Sequence, residues 1–193
     1  MRALLHCWRE RDAPAGWRAI AVAGIALAAL IVSGCVTGSP RPEYMLAANP
    51  GLGRQIAGVL SGKTVLVGEV VGEGPQPQRP LGNSFWYALV RSVEQSEIFK
   101  SVVTSGSSDY RLDTVIVSHR EIEASAMYTS ILHVRYRLIE VASHRVAWTD
   151  GVVSRQASAI DLSAATEASV RANLTRMLKE MVEFFKSRPE AKT

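Results

Sequence analysis

The residues best able to hold a metal or carry a nucleophilic step are few in this 193-residue chain, which has four histidines and two cysteines. Beyond residue 35 only His119, His133 and His144 remain, and neither HExxH nor paired-Cys spacing occurs. In an antiparallel hairpin His119 and His133 would share a face, a weak metal pair whose ordinary reading is two solvent-facing strand histidines. A serine nucleophile needs a GxSxG-type elbow and a placed base, and the chain has neither. Gly68, Gly72 and Gly74 miss the spacing of a phosphate loop and lack a following Lys-Ser/Thr. No catalytic residue, metal or cofactor is therefore expected. Trp86 and Trp148 fall on faces assigned to the core. Tyr87 beside Arg91, and Arg135 with Arg137, fall on polar faces and are the candidate contacts for a protein partner.

One cysteine carries a different chemistry. Arg2, Arg9, Arg11 and Arg18 precede the uncharged run Ala19 to Val32, which is shorter than the ~20 residues a membrane-spanning helix needs. A basic segment, an apolar run and a small-residue end form a cleavable signal over residues 1–34. Val32-Ser33-Gly34-Cys35 resembles the lipobox of bacterial lipoprotein precursors, which implies cleavage before Cys35 and acylation of its sulfur and amino group. Cys7 leaves with the signal, so Cys35 is the sole cysteine of the mature chain and no intrachain disulfide can form. The next residue is Val36 rather than the Asp linked to inner-membrane retention, and that resemblance favours the outer membrane, with the domain facing the periplasm.

Without the signal about 159 residues remain, enough for one domain. The composition, 47% hydrophobic and 21% charged, is that of a globular protein. Of the formal charge of +4, about +2 leaves with the signal and no long basic run is left, so nucleic acid is a poor partner. Residues 35–50, with Pro40, Pro42 and Pro50, read as the lipidated cysteine and a flexible tether reaching at most ~50 Å. Residues 51–193 read as a single α+β domain.

Within it, Thr64 to Val71 is a β-branched strand, and the Pro- and Gly-rich residues 72–82 form a loop. Asn83 caps a helix to about Ser96 whose apolar arc holds Phe85, Trp86, Leu89, Val90 and Val93. Strands follow over 109–119, 129–141 and 145–156. In the first, Tyr110, Leu112, Thr114 and Ile116 share one face, with Val115, Val117 and His119 on the other. In the second, Leu132, Val134, Tyr136 and Leu138 point inward, with His133, Arg135 and Arg137 outward. A three-residue loop, Ala142 to His144, sets Leu138 opposite Trp148 and Val134 opposite Val152, with His144 left-handed. Residues 163–186 form a second amphipathic helix, capped by Asp161 or Ser163. The expectation is an α+β fold: an antiparallel sheet of about four strands with both helices packed on one face.

The run Ser84-Phe85-Trp86-Tyr87-Ala88-Leu89, then Ile98 to Val103 and Asp109-Tyr110-Arg111-Leu112, resembles the core of ABC-type transport auxiliary lipoproteins. Val134 to Glu140 with Val146-Ala147-Trp148 is similar to the next hairpin of that family, so the resemblance covers roughly residues 82–185. It implies a non-enzymatic periplasmic domain that assists an envelope transporter of lipids or other hydrophobic compounds. Similar folds occur in lipoproteins that regulate cell-wall synthases or support outer-membrane assembly, which is the alternative reading. Mass spectrometry of the purified protein should find an acylated peptide starting at Cys35. An unmodified Met1 terminus on the mature protein would contradict the signal reading, and Cys35→Ala should release the domain from membranes or stall the precursor.

Overall fold

A computed structural model describes residues 39–48, 50–56, 60–73 and 79–188; Cys35 lies outside them. Its strands are β1 (Thr64–Gly72), β2 (Ser101–Val103), β3 (Tyr110–Ala124), β4 (Met127–Glu140) and β5 (Val146–Ser158). Its helices are α1 (Arg79–Ser96) and α2 (Leu162–Lys186), with short 3-10 turns at Pro42–Tyr44 and Leu52–Ile56. The five-stranded sheet runs β2-β1-β3-β4-β5. β3, β4 and β5 are antiparallel, whereas β1 pairs in parallel with β2 and with β3.

The sheet is thus mixed, not the four-stranded antiparallel one expected. The cause is α1, which carries the chain back across the sheet so that β2 starts in the direction of β1. α1 itself begins at Arg79, before the expected cap Asn83. Pro80 falls in the first helical turn, where a missing N–H costs no hydrogen bond, so the proline expected to hold the loop instead opens the helix. At the other end Glu97 takes a left-handed backbone (φ 57°). The Leu52–Ile56 turn lies against that corner, and a Cβ on Gly53 would meet the Glu97 carbonyl oxygen at 2.0 Å, so only glycine fits.

Alternation decides which face is dry. Val65 and Val67, Leu112, Thr114 and Ile116, Leu132, Val134, Tyr136 and Leu138, and Trp148 and Val152 are all buried. They form one core with Phe85, Leu89 and Val93 of α1 and Val170, Leu174, Met177, Leu178 and Met181 of α2. Both helices therefore cover the same face, as their single apolar stripes require. Asp161 is the cap of α2, its carboxylate accepting from Ala164 N–H at 2.7 Å.

The β4–β5 register is the expected one, Leu138 opposite Trp148 and Val134 opposite Val152, and His144 is left-handed at φ 55°. The loop is longer than expected. Val141 N–H still donates to the carbonyl of Asp109, the residue before β3, and Glu140 N–H to the Arg145 carbonyl. Val141 to His144 therefore all lie in the loop, and a shift between Leu138 and Ile139 restores the register.

The stretch expected as a tether is, over residues 39–48, held against both helices. Arg41 N–H donates to the Glu167 carboxylate at 2.8 Å, Ala47 N–H to Ser92 Oγ at 2.9 Å and Ala48 N–H to Thr175 Oγ1 at 3.0 Å. The Arg171 guanidinium donates to the Tyr44 carbonyl, and Met45 is fully buried. Trp148 of β5, 4% exposed and part of this core, makes the core testable: Trp148→Ala should cost ~3–5 kcal/mol in urea unfolding, and a loss under ~1 kcal/mol would contradict its place in the core.

Candidate functional site

Opposite residues of antiparallel strands share a face, so the register also maps the side that the helices leave bare. Along β3 it carries Arg111, Asp113 and Val115, and along β4 Arg137, Arg135, His133 and Ile131. β5 adds Thr149, Gly151, Val153 and Arg155. Between Ile116 and Ser118 the β3–β4 register shifts, with Val117 as the extra residue. Beyond that bulge the parity of β3 reverses, so Arg120 opposite Ile131 joins the bare face and His119 opposite Leu132 turns to the core side.

The bulge removes the weak histidine pair. His133 stands on the bare face, where its Nε2 would lie 3.6 Å from a Cβ placed on Gly151. His119 is on the other face, its side chain 11% exposed, with Nε2 3.0 Å from Ser130 Oγ and 3.7 Å from the Glu121 carboxylate. Burial lowers the His119 pKa from its ordinary 6.5, opposed by the Glu121 charge. Among the described residues no three His, Cys, Asp or Glu are grouped to hold a metal.

A polar network fills the core side under α2. The fully buried Tyr136 hydroxyl donates to Asn173 Oδ1 at 2.7 Å, and burial, then the Asp150 charge, raises its pKa well above the ordinary phenol value. Asn173 Nδ2 donates to the Val152 carbonyl at 3.0 Å and to Ser154 Oγ at 3.3 Å, and Ser154 Oγ meets Ser169 Oγ at 3.0 Å. These groups satisfy one another, which makes the network structural in kind. A cleft of about 520 Å³ lies between β1 and the start of α1, lined by Glu69, Val70, Gly82, Asn83 and Trp86.

The four expected contact residues do not form one surface. Tyr87 and Arg91 stand on the outer side of α1, with Arg91 bound to Glu94 at 2.9 Å. That carboxylate first, and Tyr87 to a lesser degree, raises the Arg91 pKa. Arg135 and Arg137 stand on the bare sheet face. There Arg111 is paired with Asp113 at 2.8 Å, and Arg135 with Glu73 from the loop after β1. Arg120, Arg137 and Arg155 have no carboxylate within ion-pair distance among the described residues. Sequence reasoning missed Arg120, Arg155 and Glu73. The alternation of β5 held the signal for Arg155, whereas the other two depend on a bulge and on a contact between distant segments.

No protein-family model matches the chain, and no curated protein matches it in sequence. Solved structures do share its fold. Protein XCC0632 from Xanthomonas campestris, of family model DUF330, superposes at TM-score 0.52 with 16% identity over 72% of this chain and 89% of its own. The hypothetical protein CT253 from Chlamydia trachomatis superposes at TM-score 0.53 with 10% identity over 66% and 99%. Bacterial lipoproteins are also among the neighbours, for example lipoprotein GNA1162 from Neisseria meningitidis, with 12% identity over 65% and 99% at TM-score 0.43.

The largely buried side chain of His119 gives a pH test with a definite sign. Its folded pKa is lowered, so acidification through about 6.5 protonates the unfolded chain first and stability falls with pH. His119→Gln, which keeps a partner for Ser130, should flatten the dependence of urea midpoint on pH between about 7.5 and 5.5. An unchanged slope would show that His119 does not titrate differently on folding.

Proposed function

We propose that this chain is a lipid-anchored, non-enzymatic binding component of an envelope transport system for lipids or other hydrophobic compounds, held at the outer membrane and facing the periplasm. The observation that carries the binding reading is the sheet covered, among the described residues, on one side only, whose bare side displays Arg120, Arg137 and Arg155 outside ion-pair distance of any carboxylate described. Ionic side chains left unpaired on a half-apolar surface are what an interface presents before its partner arrives. The transport assignment rests on the resemblance over residues 82–185, and the anchor rests on Cys35 and its preceding segment.

The docked residues 39–48 give the anchor a mechanical consequence. From Cys35 to Ser39 the chain spans at most about 14 Å, a quarter of what a free tether to residue 50 would reach. Ser84 Oγ lies 3.4 Å from the Pro40 carbonyl, and Arg41 is held by Glu167, so the chain leaves the body beside the second turns of α1 and α2. An anchored body would be held close to the bilayer by its helical layer.

Crosslinking in intact cells, followed by identification of what co-purifies with the full chain, tests the assignment. A lipid-transport component is the expected capture. A peptidoglycan synthase in its place would transfer the chain to the cell-wall reading, and turnover of a small substrate by the purified chain would overturn the non-enzymatic reading.

A further inference from the structure

We infer that the bare sheet face receives a protein partner presenting carboxylates, and that it faces away from the anchoring bilayer; this deepens the binding reading above and rests on it. Charge comes first. Arg111 and Arg135 are neutralised by Asp113 and Glu73, while Arg120, Arg137 and Arg155 remain. The helical side differs: there Arg54, Arg91, Arg176 and Lys186 have a carboxylate within 4 Å, Arg171 donates to the Tyr44 carbonyl and Arg188 lies over the Phe184 ring, which leaves Lys179 among the described residues. The unmet positive charge is thus concentrated on one side of the sheet, and an occupant that completes it is anionic.

The type of cation suits a protein carboxylate, and the side of the sheet on which it stands separates a protein from the lipid surface. The face is built with arginine and no lysine, and arginine is the cation enriched at protein interfaces, where its planar fork takes a carboxylate through two hydrogen bonds. Aliphatic side chains lie between the arginines: Val153 is 52% exposed, and Val71 and Ile122 stand out on the same side. Arg120 and Arg155 flank Ile131 from the two sides of β4, which sets a pair of charged hydrogen-bonding groups around an apolar floor. Two copies meeting through this face would oppose like charges. The short link from Ser39 leaves beside the helices, on the far side of the sheet, so a bilayer holding Cys35 meets the helical layer first.

The test places a photoreactive p-benzoylphenylalanine at Val153 of the full-length chain in its native cells, with Lys179 on the outer side of α2 as the control position. A protein adduct is expected from Val153. It should fall at least tenfold in the Arg120→Glu, Arg137→Glu, Arg155→Glu variant and fall less in the matching Gln variant, whose fold is checked by its thermal midpoint. Arg176→Glu on the helical side should leave it unchanged. Substituting Lys for the partner carboxylates mapped beside the adduct should restore crosslinking to the Glu variant. A phospholipid adduct, an adduct with a second copy, or a protein adduct indifferent to both charge variants would overturn the inference; the last leaves the binding reading intact, whereas turnover by the purified chain strikes that reading alone.

Discussion

The Asn173 carboxamide joins the helical layer to the sheet. Its oxygen accepts from Tyr136 and its nitrogen donates to Val152 and Ser154, so one side chain of α2 binds both β4 and β5 in a dry interior. An unpaired amide there costs about 1–3 kcal/mol, which permits few rotations of α2 about its own axis. In the permitted one Leu174, Met177 and Met181 go into the core. Glu167 then comes to where Arg41 arrives, and Ser169 meets Ser154. The course of residues 39–48 over the helices follows from the same setting.

With α1 and α2 committed to one side, no helix or strand among the described residues covers the other side of β3, β4 and β5. Antiparallel sheets tolerate that, provided the wet face is polar. Here it is polar in an unbalanced way: its carboxylates are consumed by Arg111 and Arg135, and further arginines stand among exposed valines and isoleucines. A face meant only for solvent is served better by mixed signs. Neither the buried network nor the cleft beside Trp86 shows a comparable unmet requirement.

Much of this was legible along the chain because burial imprints a period. The alternation through Leu132, Val134, Tyr136 and Leu138 fixed their direction and the pairing with Trp148, and the stripe of α2 and its Asp161 cap were local patterns. What escaped reading lacked such a pattern. Near its C-terminal half β3 is apolar on both sides, so nothing marked Val117 as the bulge that turns His119 inward and Arg120 outward. β2 has three residues, too few to show a period. The hold on residues 39–48 uses backbone N–H groups, which every sequence possesses, and the Glu73–Arg135 pair joins segments 62 residues apart.

Cysteine accessibility tests a bare face occupied in the cell most directly, because Cys35 is the only cysteine after Cys7 and is proposed to be acylated. Single cysteines at Val153 and at Lys179 would be labelled with a maleimide in intact cells and on the purified chain. Val153→Cys should label more slowly in cells than in the purified protein, with Lys179→Cys labelled alike in both. Equal rates at Val153→Cys in both settings would contradict it.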